Sequence, residues 1–222
     1  MSYILNIETS TRNCSVSIAN SGQTVALREI ATEGFSHAEK LHVFVNEVMA
    51  EAGISFSDLS AIAVSKGPGS YTGLRIGVSS AKGFCYASNL PLIAVDTLKV
   101  LAAAARVTDG VIVPMIDARR MEVYSAVFDS ELQAVRQVEA EIIDSASLAD
   151  FAGPVYIVGD CQQKVESMLS GDKFSYLKEV EFPSAAEMGK LSFEKFKAGD
   201  FEDVAYFEPF YLKDFIGIKS KK

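Results

Sequence analysis

The run Ser65-Lys66-Gly67-Pro68-Gly69-Ser70-Tyr71-Thr72-Gly73-Leu74-Arg75-Ile76-Gly77 constrains this chain more than any other stretch. The apolar segment Ala61–Ser65 ahead of it reads as a buried strand, and a helical pattern over about 72–88 follows. The turn between them has to do something that needs glycine. A Walker loop requires Gly-Lys-Ser/Thr at the helix start, so that an ammonium reaches the phosphates, whereas Leu74 and Arg75 follow Gly73 here. A dinucleotide fingerprint is one residue off, as Gly67-x-Gly69-x-x-x-Gly73, although Asp96 closes the next strand. Pro68 also takes an amide donor out of the loop. The third reading is packing. Gly73, Gly77 and Ala81 are spaced four apart and share one stripe of the helix, where a second backbone can come close. Glycine inside a helix costs ~1 kcal/mol relative to alanine, so two of them require such a contact. The partner is either the same chain or another subunit, and the spacing alone leaves both open.

The flanking pattern predicts an α/β chain. Residues 3–8 read as a buried strand. Cys14, Val16 and Ile18 alternate with serines as in a half-buried strand, Asn20-Ser21-Gly22 is a turn, and Thr24–Ile30 returns. Ser36 and Glu39 form a capping box for a helix that ends near Gly53, with Leu41, Val45, Val48, Met49 and Ala52 on one face. Leu92–Val95 is a strand and Thr97–Arg106 a helix. The start then recurs: Val111–Ile116 ends at Asp117 as Tyr3–Ile7 ends at Glu8, and Glu122–Phe128 with Ala134–Glu139 makes a second hairpin around Asp129-Ser130-Glu131. Val155–Val158 is a further strand, with helices over 162–169 and 184–198. This duplication divides the chain into halves at 1–108 and 109–222, near Thr108-Asp109-Gly110, and Lys219–Lys222 reads as a solvated end.

Composition narrows the function. With 222 residues, 49% apolar and 23% charged, the chain can bury a real core. Its net charge of -8 makes it a poor lone binder of nucleic acid. Cys14, Cys85 and Cys161 are scattered, without a C-x-x-C pair, and read as small buried hydrophobes. No apolar run approaches the ~20 residues of a membrane span, and no secretory pattern opens the sequence, so the expectation is a cytoplasmic protein with no membrane contact. His37 and His42 are the only histidines; five positions apart, they lie about 140° apart around a helix and cannot readily share a metal. Both read as surface or cap-region residues. Asp117 and Arg119 read either as a turn anchor or ion pair, or as a subunit contact.

Taken together, Ile7-Glu8-Thr9-Ser10-Thr11, Cys14-Ser15-Val16, His37-Ala38-Glu39, the glycine run through Gly77, Ala81-Lys82-Gly83, Ile116-Asp117-Ala118-Arg119, Glu122-Val123-Tyr124 and Pro209-Phe210-Tyr211-Leu212 resemble the TsaB (YeaZ) family over nearly the whole chain. The resemblance implies the actin-like, sugar-kinase and Hsp70-type (ASKHA) fold, with two similar mixed-sheet halves. It implies a non-catalytic accessory subunit that binds and supports a TsaD-type threonylcarbamoyltransferase in tRNA modification, with a TsaE-type ATPase in the assembled complex. The tRNA is then met only indirectly, and ATP, ADP and metal belong to the partner subunits. The implied contact lies on the helices at 37–52 and 72–88, through His37, Leu41, Val45, Val48, Tyr71, Gly73, Leu74, Arg75, Gly77 and Ala81. Left without a partner, such a face implies a homodimer.

The resemblance also implies that the catalytic relatives' metal-binding histidines correspond to Thr97 and Leu101 here; leucine cannot ligate at all. Glu8, Thr9, Ser10 and Thr11 remain candidate nucleotide contacts, although Glu8 stands where the family usually has Asp. Three rivals remain: a stand-alone small ATPase or kinase of the same fold, a scaffold for another client, and a metalloprotease, which the missing His-Glu-x-x-His disfavours.

Overall fold

The computed structural model describes residues 1–32 and 37–213. The first half opens with β1 (Tyr3–Glu8), β2 (Asn13–Asn20) and β3 (Gln23–Ala31), an antiparallel meander. Helix α1 (His37–Ala52), β4 (Leu59–Ser65), α2 (Tyr71–Ser88), β5 (Leu92–Val95) and α3 (Thr97–Ala103) follow. β4 pairs parallel to β1, and β5 parallel to β4, giving the order β3-β2-β1-β4-β5. The second half contains β6 (Val111–Asp117), β7 (Glu122–Asp129), β8 (Ala134–Ile142), β9 (Val155–Val158), the short α4 (Gln162–Val165), β10 (Phe174–Tyr176) and α5 (Ala185–Ala198). Its sheet runs β10-β9-β6-β7-β8. Read from β8, this order repeats the first sheet strand for strand, with the same antiparallel and parallel pairings. The duplication read from pattern is therefore structural, and the architecture is the actin-like, sugar-kinase and Hsp70-type fold.

Helices cross between the halves. α1 and α2 cover one face of the first sheet, and α5, which arrives from the end of the chain, covers the other. α3 packs on β6 and β7 of the second sheet. This explains a departure from the expected half-buried β2: seven of its eight residues are buried. Ser17 Oγ donates to the Ala185 carbonyl at 2.7 Å, and Ser15 Oγ accepts from the Ala185 amide at 2.9 Å, so the serines satisfy the N-terminus of α5 rather than water.

Local chemistry sets the helix ends. Ser70 Oγ accepts from the Gly73 amide at 3.3 Å and caps α2, which ends at left-handed Asn89. Ser184 caps α5 in the same way, and Gly199 ends it at φ 67°. The capping box expected at Ser36 lies outside the described residues, as does the lysine tail. α3 stops short of the expected Arg106, which adopts a left-handed backbone with φ 50°. α4 spans only 162–165 of the expected 162–169. β10, three residues paired with β9, has no counterpart among the expected strands.

Candidate functional site

The turn after β1 sits where both halves and two helices converge. Its residues are tied to one another and to the starts of α1 and α2. Glu8 is fully buried; its Oε1 accepts from the Ser10 amide at 2.6 Å, and its Oε2 has no hydrogen-bond partner among the described residues. Burial, only partly opposed by these hydrogen bonds, raises its carboxyl to about 7. Thr9 Oγ1 donates to the Gly73 carbonyl at 2.8 Å. The Ser10 carbonyl accepts from the Ser70 amide at 2.6 Å. The Thr11 carbonyl accepts from His37 Nε2 at 2.8 Å, which places the proton on that nitrogen.

This arrangement identifies what the glycine stripe meets. A β-carbon on Gly73 would collide with the Thr9 carbonyl oxygen, and one on Gly77 with the Thr9 hydroxyl. Gly69 approaches the Ser10 backbone in the same way. The close contact is within the chain. The expected subunit contact through this stripe is corrected accordingly: Gly73, Leu74, Gly77 and Ala81 are buried in the chain's own core. So are His37, Leu41, Val45 and Val48, which face β2 and β3. His37 is therefore not a surface residue, and burial lowers the pKa of its imidazole. Tyr71 and Arg75 stay at the surface, where the Arg75 guanidinium lies 5.2 Å from the Tyr71 ring centroid.

The outward side of α1 and α2 is a different set of residues. Val43 is 47% exposed, and His42 stands edge-on to Phe84 at 5.6 Å. On α2, Ser79, Gly83 and Tyr86 are exposed. Among the described residues nothing lies within 4 Å of a β-carbon placed on Gly83. This helix-interior glycine, about 120° around α2 from Gly77, has no intramolecular reason. The sequence contained the signal, in Ala81-Lys82-Gly83, but the four-residue spacing drew the reading to Gly77.

Between the halves lies an open cleft of about 1120 Å³, walled by Ser10 and Thr11, the start of α2, the β6–β7 hairpin and residues 210–213. Asp117 anchors the hairpin, as one of its two readings held: its Oδ1 accepts from the Arg119 amide at 3.2 Å and pairs with Lys164 at 2.9 Å. The C-terminal segment straps the cleft. Glu202 adds to β5, the Phe210 amide donates to the Lys66 carbonyl at 2.7 Å, Tyr211 packs on Tyr71 at 5.0 Å, and Lys213 pairs with Glu122.

The turn fits a buried phosphate poorly. Thr9 and Glu8 are fully enclosed, and the N-terminus of α2 occupies the loop. At the positions implied for metal-binding histidines, Thr97 Oγ1 accepts from the Gly67 amide at 3.1 Å, and Leu101 is core. Among the described residues no cluster of three or more His, Cys, Asp or Glu side chains is placed to hold an ion, and no helix is long and apolar enough to cross a membrane.

Comparison with known proteins follows this geometry. The family model for TsaD, tRNA N6-adenosine threonylcarbamoyltransferase, matches residues 30–209. The tRNA threonylcarbamoyladenosine biosynthesis protein TsaB of Escherichia coli is 30% identical, covering 97% of this chain and 96% of that protein. The Bacillus subtilis TsaB is 32% identical over 95% and 93%. A tRNA N6-adenosine threonylcarbamoyltransferase of Streptococcus pyogenes is 37% identical, over 51% of this chain and 38% of its own length. Among solved structures, YeaZ from Pseudomonas aeruginosa superposes with a TM-score of 0.85 at 26% identity, covering 96% of this chain and all of that one. Component A of the Acidaminococcus fermentans (R)-2-hydroxyglutaryl-CoA dehydratase shares the fold, with a TM-score of 0.53 at 11% identity.

Proposed function

The chain belongs to the TsaB family of tRNA threonylcarbamoyladenosine biosynthesis proteins, and from that premise we propose that it is the non-catalytic accessory subunit of a TsaD-type threonylcarbamoyltransferase. The observation that carries the reading is the sealed β1–β2 turn. In a two-half fold of this type, a catalytic copy keeps the backbone of that turn open to a phosphate. Here α2 packs into it through Gly69, Gly73 and Gly77, and what a reactive site would use serves as internal structure. Thr97 and Leu101 are likewise spent on packing. The chain's contribution is then a surface that holds and supports the subunit carrying the chemistry.

That surface is the outward side of α1 and α2. Val43, Ser79, Gly83 and Tyr86 are exposed on it, and Gly83 admits a close approach by a partner helix. Tyr71 and Arg75 extend it toward the N-terminus of α2. The same face supports self-association when the catalytic subunit is absent. A TsaE-type ATPase joins through the assembled pair, which also provides the main hold on tRNA. Light scattering of the purified chain mixed with a TsaD-type subunit tests this: a one-to-one complex is expected, and two unchanged species would refute it. Turnover of ATP by the chain alone would favour the rival reading as a small ATPase or kinase.

A further inference from the structure

We propose that the rim of the cleft between the two halves binds single-stranded RNA, with Arg119 and Arg120 meeting phosphates and Tyr211 presenting a stacking face. The inference rests on the tRNA-modification reading above and adds a direct contact to it.

The local field runs against the composition. The chain carries -8 overall. Yet the cleft is lined by Arg12, Arg119, Arg120, Lys164 and Lys213 against Asp117, Glu122 and Asp160, so five cations face three acids, a local excess of two. Lys164 is neutralised by Asp117, Lys213 by Glu122, and Arg12 by Glu181 at 3.5 Å. Arg119 and Arg120 remain, exposed at the hairpin tip, with no ion pair among the described residues. Both hold left-handed backbone, φ 68° and 58°, where glycine would sit without strain. The turn itself gives no reason for arginine; an anion across the cleft does.

The aromatic component comes from the strap. Phe210 and Tyr211 line the same cleft and are each 39% exposed, with Tyr211 held on Tyr71. Exposed rings beside unpaired cations suit a strand whose bases stack while its backbone is neutralised. A free nucleotide fits less well. Its phosphates would need the amides of the β1–β2 turn, and the Ser10 amide there already donates to Glu8 Oε1 at 2.6 Å. The cleft, at about 1120 Å³ and open, also exceeds the usual ~300–1,000 Å³ of a small-molecule pocket.

The test uses a fluorescein-labelled single-stranded RNA of ~10 nucleotides, read by anisotropy between about 50 and 200 mM KCl. It is run with the chain alone and with its one-to-one mixture with a TsaD-type subunit. The double variant Arg119→Ala/Arg120→Ala is expected to weaken RNA binding at least about tenfold and to lower the salt slope by roughly 1.4, two phosphates at ~0.7 each. Arg119→Lys/Arg120→Lys restores most of both. Tyr211→Ala weakens binding with the slope unchanged, and Arg28→Ala, whose guanidinium pairs with Glu47 and Glu51 of α1 and does not line the cleft, changes neither. Wild-type chain that fails to bind at the lowest salt overturns the proposal, as does a double variant within twofold of wild type. Displacement of the RNA by stoichiometric ATP also overturns it, in favour of a nucleotide pocket. Because these arginines lie off the outward face of α1 and α2, the double variant still forms the subunit complex. A missing complex with intact RNA binding strikes the accessory-subunit reading alone.

Discussion

Thr9 and Gly77 lie so close that the Thr9 hydroxyl occupies the space a β-carbon on Gly77 would need, while the same hydroxyl donates to the Gly73 carbonyl at 2.8 Å. One residue on the first hairpin, through its carbonyl oxygen at Gly73 and its hydroxyl at Gly77, thus accounts for two glycines on α2, and the contact locks α2 onto the sheet.

The two helical glycines should therefore respond oppositely. Gly77→Leu forces a buried side chain into Thr9 and is expected to cost on the order of 3 kcal/mol or more, read as a large drop in thermal midpoint by circular dichroism. Gly83→Ala, in open solvent on the same helix, should stabilise the isolated chain by about 0.5–1 kcal/mol. Equal effects at the two positions would refute the assignment of Gly77 to the core.

Removing the Thr9 donor while keeping its shape isolates the hydrogen bond. Thr9→Val leaves the Gly73 carbonyl without that partner in a buried setting and is expected to cost about 1–2 kcal/mol in denaturant unfolding. Thr9→Ser keeps the donor and should cost less.

Glu8 gives the fold a pH dependence of defined sign. Burial raises the folded-state carboxyl from 4.5 to about 7, so between those values the folded chain holds a proton that the unfolded chain has released. Stability from this group is complete below about pH 4.5, declines as pH rises, and levels off above about 7, a total on the order of 3 kcal/mol. Glu8→Gln retains an acceptor for the Ser10 amide and should remove that slope. A wild-type stability flat from pH 5 to 8, measured by urea unfolding, would contradict this.

The three thiols are all buried. Burial pushes Cys14 up to about 11 and Cys85 to about 12, and raises Cys161 as well, with Asp160 and Asp117 nearby adding to the effect there. Ellman's reagent at pH 8 should therefore find no fast-reacting thiol in the native chain and all three after unfolding in guanidinium.

The succession of strands and helices, its recurrence from Val111 and the glycine turn were legible because period and turn residues are local signals. What the glycine stripe packs against was not. Gly73 and Gly77 announce a close contact without naming its other side, and Thr9 lies 64 residues before Gly73. The serines of β2 looked solvent-facing for the same reason, since the helix that buries them begins at Ala185, 168 residues from Ser17. β10 is three residues long and takes its identity from pairing with β9, which no periodicity reveals. His37 stands at the start of α1, as the cap-region reading has it, but it is buried, because that helix N-terminus abuts the Thr11 carbonyl instead of solvent. Arg119 stands within the Ile116-Asp117-Ala118-Arg119 element and Tyr211 within Pro209-Phe210-Tyr211-Leu212, but only the return of the strap brings both, with Arg120, into the lining of one cleft.

The central claim is that the outward side of α1 and α2, with Gly83 at its middle, is where a TsaD-type subunit docks. Isothermal titration of that subunit into wild-type chain and into Gly83→Trp, each first shown folded by circular dichroism, tests it most directly. The account predicts one-to-one binding by wild type and a loss of at least about a hundredfold in Gly83→Trp, roughly 2.7 kcal/mol, with the fold unchanged. Equal affinity for the two proteins, or no binding by wild type, would contradict it.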